Sequence, residues 1–125
     1  MNLREIDLLI AEKVMGWKLR KYFEDDCYIT DEWVTDIQDK FNNSVIVIDV
    51  DKFNPSTDIR DAWLILQKAD DFVVNKATEG SLGVRSGLAE TGDIHCMYNG
   101  THAYAKTAPL AICSAALKAV GVDVE

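Results

Sequence analysis

The sequence predicts an α+β fold: a largely antiparallel sheet covered by helices on both faces. Three observations carry this. Residues 107–121 read as one long, almost wholly apolar helix. Residues 72–105 alternate with a period of two between turn signals. Residues 3–17 and 59–68 repeat their apolar positions at steps of three and four. At 125 residues the chain is expected to form a single domain, 1–125.

The first helix is expected over residues 3–15. Asn2 can cap it, and Glu5 stands three residues on. Leu3, Ile6, Ile10, Val14 and Trp17 make one apolar face, and Gly16 ends or bends the helix. Residues 18–43 are charged and aromatic. Within them Trp33, Ile37 and Phe41 are spaced by four, so a short helix capped by Thr30 is expected over 30–41. Residues 44–51 contain four consecutive β-branched residues, Val45-Ile46-Val47-Ile48, and read as a strand, either buried on both faces or at an edge under a helix.

Pro55-Ser56-Thr57-Asp58 reads as a helix start, with Ser56 or Thr57 as the cap. Ile59, Ala62, Trp63 and Leu66 then define a face, with Trp63 packed inward, in a helix running to Lys68. A meander follows, with strands expected at 72–77, 81–89, 93–98 and 101–105. Glu79-Gly80, Thr91-Gly92 and Asn99-Gly100 separate them, the last being the strongest hairpin signal. In the final helix Thr107 caps the start, Pro109 fits the first turn and Gly121 suits the left-handed position past the end. Ser114 and Lys118 are its polar positions, so it should be buried on most sides. Ala111, Ala115, Ala116 and Ala119 favour close approach of a sheet or of a second subunit. The helix is too short to span a bilayer, which takes about 20 apolar residues.

Composition narrows the function. A net charge of -8 argues against a broad basic face for duplex nucleic acid, while leaving room for a small nucleotide held by a few local cations. Cys27, Cys96 and Cys113 are an odd set without a CxxC pair, as in a reducing compartment. Arg4, Glu5 and Asp7 interrupt any apolar leader, so the chain is expected to stay in the cytoplasm.

His95, Cys96 and His102 invite a zinc reading, but adjacent strand residues point to opposite faces, so His95 and Cys96 cannot easily share an ion. Asp49, Asp51 and Asn54 resemble a calcium loop, yet Phe53 falls where an oxygen ligand is needed. No Ser or Cys sits in a nucleophile elbow, so neither a catalytic residue nor a cofactor is expected. Trp17 and Trp63 continue helical apolar faces and read as core. Trp33, Tyr98 and Tyr104 are spare aromatics that can stack on a planar ligand or build a subunit interface. Arg85, alternating with Val84, can reach a phosphate, and His102 joins this candidate set. The helix start at Thr107 can hold an anion, although simple capping is the ordinary role.

Three stretches carry a family resemblance. Arg4-Glu-Ile-Asp-Leu-Leu-Ile-Ala-Glu-Lys-Val-Met-Gly-Trp17 resembles the opening of the phage ABA sandwich domain, found in small phage and prophage proteins of Gram-positive bacteria. Pro55-Ser-Thr-Asp-Ile-Arg-Asp-Ala-Trp63 is similar to its middle helix, and residues 107–121 to its C-terminal helix. Residues 18–53 differ from the family's shorter link. The resemblance implies a three-layer α/β/α sandwich without established catalytic residues. It leads to the expectation of a non-catalytic homo-oligomer acting as a counter-defence sponge, one that sequesters a nucleotide-derived host immune signal. The alternative expectation is a module that binds a host or phage protein without a small ligand.

Overall fold

The computed structural model describes residues 1–38 and 44–124. Its element order is α1 (Leu3–Leu9), β1 (Lys18–Glu24), β2 (Cys27–Gln38), β3 (Ser44–Asp49), α2 (Ile59–Leu66), β4 (Phe72–Lys76), α3 (Leu82–Arg85), β5 (Ile94–Tyr98), β6 (Thr101–Ala105) and α4 (Ala108–Ala119). The strands form two antiparallel three-stranded sheets, ordered β1-β2-β3 and β4-β5-β6. This is the expected mixed α+β fold, with the expected sheet divided in two.

Helix α4 is the centre of the molecule. Ala111, Ile112, Cys113, Ala115, Ala116 and Leu117 are all buried. One side of the helix lies on β5 and β6; α1, the turn after it and α2 pack on its remaining surface. The small residues Ala111, Ala115 and Ala116 thus serve close approach to neighbouring elements of the same chain, while Ala119 is exposed. Burial pushes the Cys113 thiol far up and the Cys96 thiol to about 11, so both are inert at neutral pH. The Thr107 hydroxyl accepts from the Leu110 amide at 3.4 Å, as a cap does.

The first helix tightens less than its sequence period implies. After Leu9 the chain widens into a π-helical turn over Ile10–Val14, with Ile10 and Ala11 in the core. The buried Asp7 carboxylate accepts from the Ser56 amide at 2.8 Å, tying α1 to the segment that leads into α2. Trp17 packs on Phe53, ring centroids 4.7 Å apart, and so closes the core on the side of β1–β3.

Several expectations need correction. The helix expected over 30–41 is strand β2 through Gln38; residues 39–43, including Phe41, lie outside the described residues. Asp25 and Asp26, at φ 51 and 65, make the two-residue turn of a β1–β2 hairpin, a signal hidden in a charged run. The third strand stops at Asp49 and gives way to a 3-10 turn, Val50–Lys52. Residues 81–89 are not a strand: the Ser81 hydroxyl meets the Val84 amide and starts the single turn α3. In α2 the cap is Asp58, which accepts from the Arg60 amide at 2.9 Å, rather than Ser56 or Thr57. Trp63 is 51% exposed, because Ala62, Ile65 and Leu66 take the inward face; its ring meets Phe72 edge-on at 6.2 Å.

Candidate functional site

Strand alternation sorts the β4-β5-β6 sheet into two faces. Ile94, Cys96, Tyr98, Ala103 and Ala105 share the face under α4. The opposite face carries Asn75, His95 and Tyr104 in one cross-strand row, and Val73, Met97 and His102 in the next. The Asn99-Gly100 turn, with φ 49 and 84, fixes this register.

A hydrogen-bonded chain runs diagonally across that outer face. The Asn75 Oδ1 lies 3.0 Å from His95 Nδ1, and His95 Nε2 lies 2.8 Å from His102 Nδ1. With the carboxamide oxygen facing the ring, His95 Nδ1–H donates to Asn75. His95 Nε2 then accepts from His102 Nδ1–H, and His102 Nε2 is the free end of the relay. Desolvation, reinforced by the neighbouring His102, holds the His95 pKa below the ordinary 6.5, so this ring is neutral at pH 7. The Tyr104 ring completes the floor, 4.9 Å from the His95 ring.

Helix α3 turns this face into a groove. Gly83 lies directly on Tyr104: a Cβ there would collide with the phenol ring and its oxygen, so glycine permits the contact as it stands. The groove has a volume of ≈ 610 Å³, within the range of small-molecule sites. Asn75, His95, His102 and Tyr104 form its polar floor; Leu82 and Leu88, 78% and 72% exposed, form apolar rims. Lys76 borders the groove, but its ladder position beside Ile94 directs its side chain to the α4 face. Among the described residues no carboxylate lines the groove, in a chain with 21 acidic residues. A smaller cavity, ≈ 390 Å³, lies beside it around Ser114 and Lys118, sharing Leu88, His102 and Tyr104.

The candidate residues are distributed unevenly. His102 and Tyr104 meet in the groove. Tyr98 and Trp33 do not reach it: both are core residues, 3% and 4% exposed, and the Tyr98 hydroxyl donates to the Ile65 carbonyl at 3.0 Å. Arg85 is exposed at the end of α3 rather than on a strand, and neither it nor Thr107 is part of the groove lining. Asn75 is the residue a site reading of the sequence misses, and His95 enters that reading only as a rejected zinc ligand. Cys96 is buried on the opposite face from His95, as the alternation requires. Among the described residues no cluster of three or more His, Cys, Asp or Glu side chains is placed to hold a metal ion. None of the described helices is long and apolar enough to cross a membrane.

No curated protein matches the chain. Among solved structures, it is similar to a phage protein from Bacillus cereus ATCC 14579. The two are 24% identical, with a TM-score of 0.53 over 100% of this chain and 93% of that one; this likeness concerns the fold. The sequence profile of the phage ABA sandwich domain matches residues 8–117, from α1 to the last turn of α4. The chain therefore belongs to the phage ABA sandwich domain family.

Proposed function

We propose that this protein is a non-catalytic binding protein that takes a small, planar, anionic ligand of nucleotide type into the groove over His95, His102 and Tyr104. In a phage setting the ligand is a nucleotide-derived host immune signal, and the protein acts as a sponge that sequesters it. The observation that carries this reading is the groove's composition. It combines a polar floor with apolar rims, and its lining holds no carboxylate among the described residues of a strongly acidic chain. Tyr104 offers a ring for stacking on a base. The free end of the histidine relay offers an oriented hydrogen-bonding nitrogen to a polar ligand atom.

The test is calorimetric titration of the protein with cyclic ADP-ribose variants and cyclic oligonucleotides. The reading expects saturable heat with at least one of them, lost in His95→Ala and Tyr104→Ala variants, and recovery of the ligand chemically unaltered. Absence of heat across the panel removes the sponge. A nucleotide returned in altered form replaces it with an enzyme.

The exposed rims Leu82 and Leu88 favour the second reading, a module that seats apolar side chains of a host or phage protein. A pull-down from infected cells that returns only the protein itself counts against that reading.

A further inference from the structure

Strand β4 lies at the edge of its sheet, and all five of its residues are exposed. The Asn99 amide donates to the Asp71 carbonyl, and the Ala77 amide to the Asp93 carbonyl. By the alternation of an antiparallel ladder, residues 71, 73, 75 and 77 turn their backbone groups toward β5. The N–H and C=O groups of Phe72, Val74 and Lys76 therefore line the open edge. Phe72, Val73 and Val74 are 38%, 43% and 38% exposed, and the exposed Trp63 ring packs on Phe72. An unprotected apolar edge of this kind templates a further strand.

The charges along the edge identify that strand. Asp70 and Asp71 stand at one end and Lys76 at the other. Among the described residues, none of the three takes part in an ion pair within its own chain. An antiparallel copy of the same edge places each Lys76 beside the other copy's Asp70-Asp71. We infer that β4 is a homodimerisation edge, pairing antiparallel with β4 of a second copy about a two-fold axis at Val73.

In this register Phe72 of each copy exchanges two backbone hydrogen bonds with Val74 of the other, using the outward-facing groups. Phe72 and Val74 then cover one another on the α4 side of a continuous six-stranded sheet, beside the two Trp63 rings. The two Val73 side chains meet on the outer face. Both grooves open on that same outer face, with the two β5 strands separated by three strand spacings, about 14 Å. A five-residue edge is a small interface, so the dimer is concentration-dependent.

Sedimentation velocity on the full chain over a concentration series tests this. The wild type is expected to move from the 14.0 kDa monomer to twice that mass. Val74→Pro leaves the ladder to β5 intact but removes an outward donor, and Lys76→Asp reverses the end charge. Both are expected to stay monomeric with an unchanged circular dichroism spectrum. Asp70→Lys combined with Lys76→Asp restores the dimer. In a Cys27→Ser background, Val73→Cys is expected to cross-link two chains on oxidation, since the axial pair lies within disulfide reach. A wild type that stays monomeric throughout overturns the inference. So does a dimer that persists in both single variants and fails to cross-link through Val73→Cys.

Discussion

His95 Nε2 stands 2.8 Å from His102 Nδ1, and the Asn99-Gly100 hairpin turn puts it there. The pair sits on a neutral, partly desolvated ring, and this has a pH signature. His95 takes up its proton near 6.5 in the unfolded chain but lower in the fold. The unfolded state therefore binds more protons in the window below 6.5. The stability associated with this ring is complete above pH 6.5 and is lost as pH falls through the folded value. Imidazole-detected NMR titration should place His95 below 6.5. Because desolvation is the larger cause, His102→Ala should raise the value only part of the way.

That relay shows how far the sequence was readable. A two-residue turn at Asn99-Gly100 makes Tyr98 and Thr101 neighbours. It follows that Met97 pairs with His102 and His95 with Tyr104. The side-chain cluster of β5 and β6 is thus legible in the residues themselves. Asn75 is not, because nothing local sets the register of β4 against β5. Nor is α3: Leu82 and Val84 alternate as in a strand, and only the close contact of Gly83 with Tyr104 shows why a helical turn stands there. The expectation that Trp63 points inward fails because the apolar stripe of α2 is wider than its buried stripe. The caps and burial of α4 are legible because propensity, capping and periodicity agree there.

Gly83 should be intolerant of a methyl group. Gly83→Ala forces the Tyr104 ring or α3 to move, and overpacking of this sort costs about 1–3 kcal/mol. Gly80→Ala is the control, since nothing lies within 4 Å of a Cβ at Gly80. Denaturant melts should separate the two variants, and Tyr104 ring resonances should shift only in the first.

Asp7 should tolerate asparagine and not alanine. Asparagine keeps an oxygen for the Ser56 amide, whereas Asp7→Ala orphans that buried donor, at about 1–3 kcal/mol. Burial raises the Asp7 pKa above 3.8, so between 3.8 and the folded value the native state binds more protons than the unfolded chain. In that window the wild type should gain stability relative to Asp7→Asn as pH falls. Urea melts of the two proteins across acidic pH check the sign.

Tyr98 should act through stability alone. Its hydroxyl joins the β5 strand to α2 by donating to the Ile65 carbonyl. Tyr98→Phe should lower stability by about 1 kcal/mol, because that carbonyl also accepts from the Lys68 amide and is not left unsatisfied. Ligand heats in the calorimetric panel should be unchanged.

The central claim is that the outer face of the β4-β5-β6 sheet is a ligand site. Imidazole-detected NMR during titration with cyclic ADP-ribose variants and cyclic oligonucleotides tests it most directly. The account predicts that a binding nucleotide shifts the His95 and His102 ring nitrogens and the Tyr104 ring together, while Tyr98 stays unmoved. Binding that leaves both imidazoles unshifted, or silence across the whole panel, contradicts it.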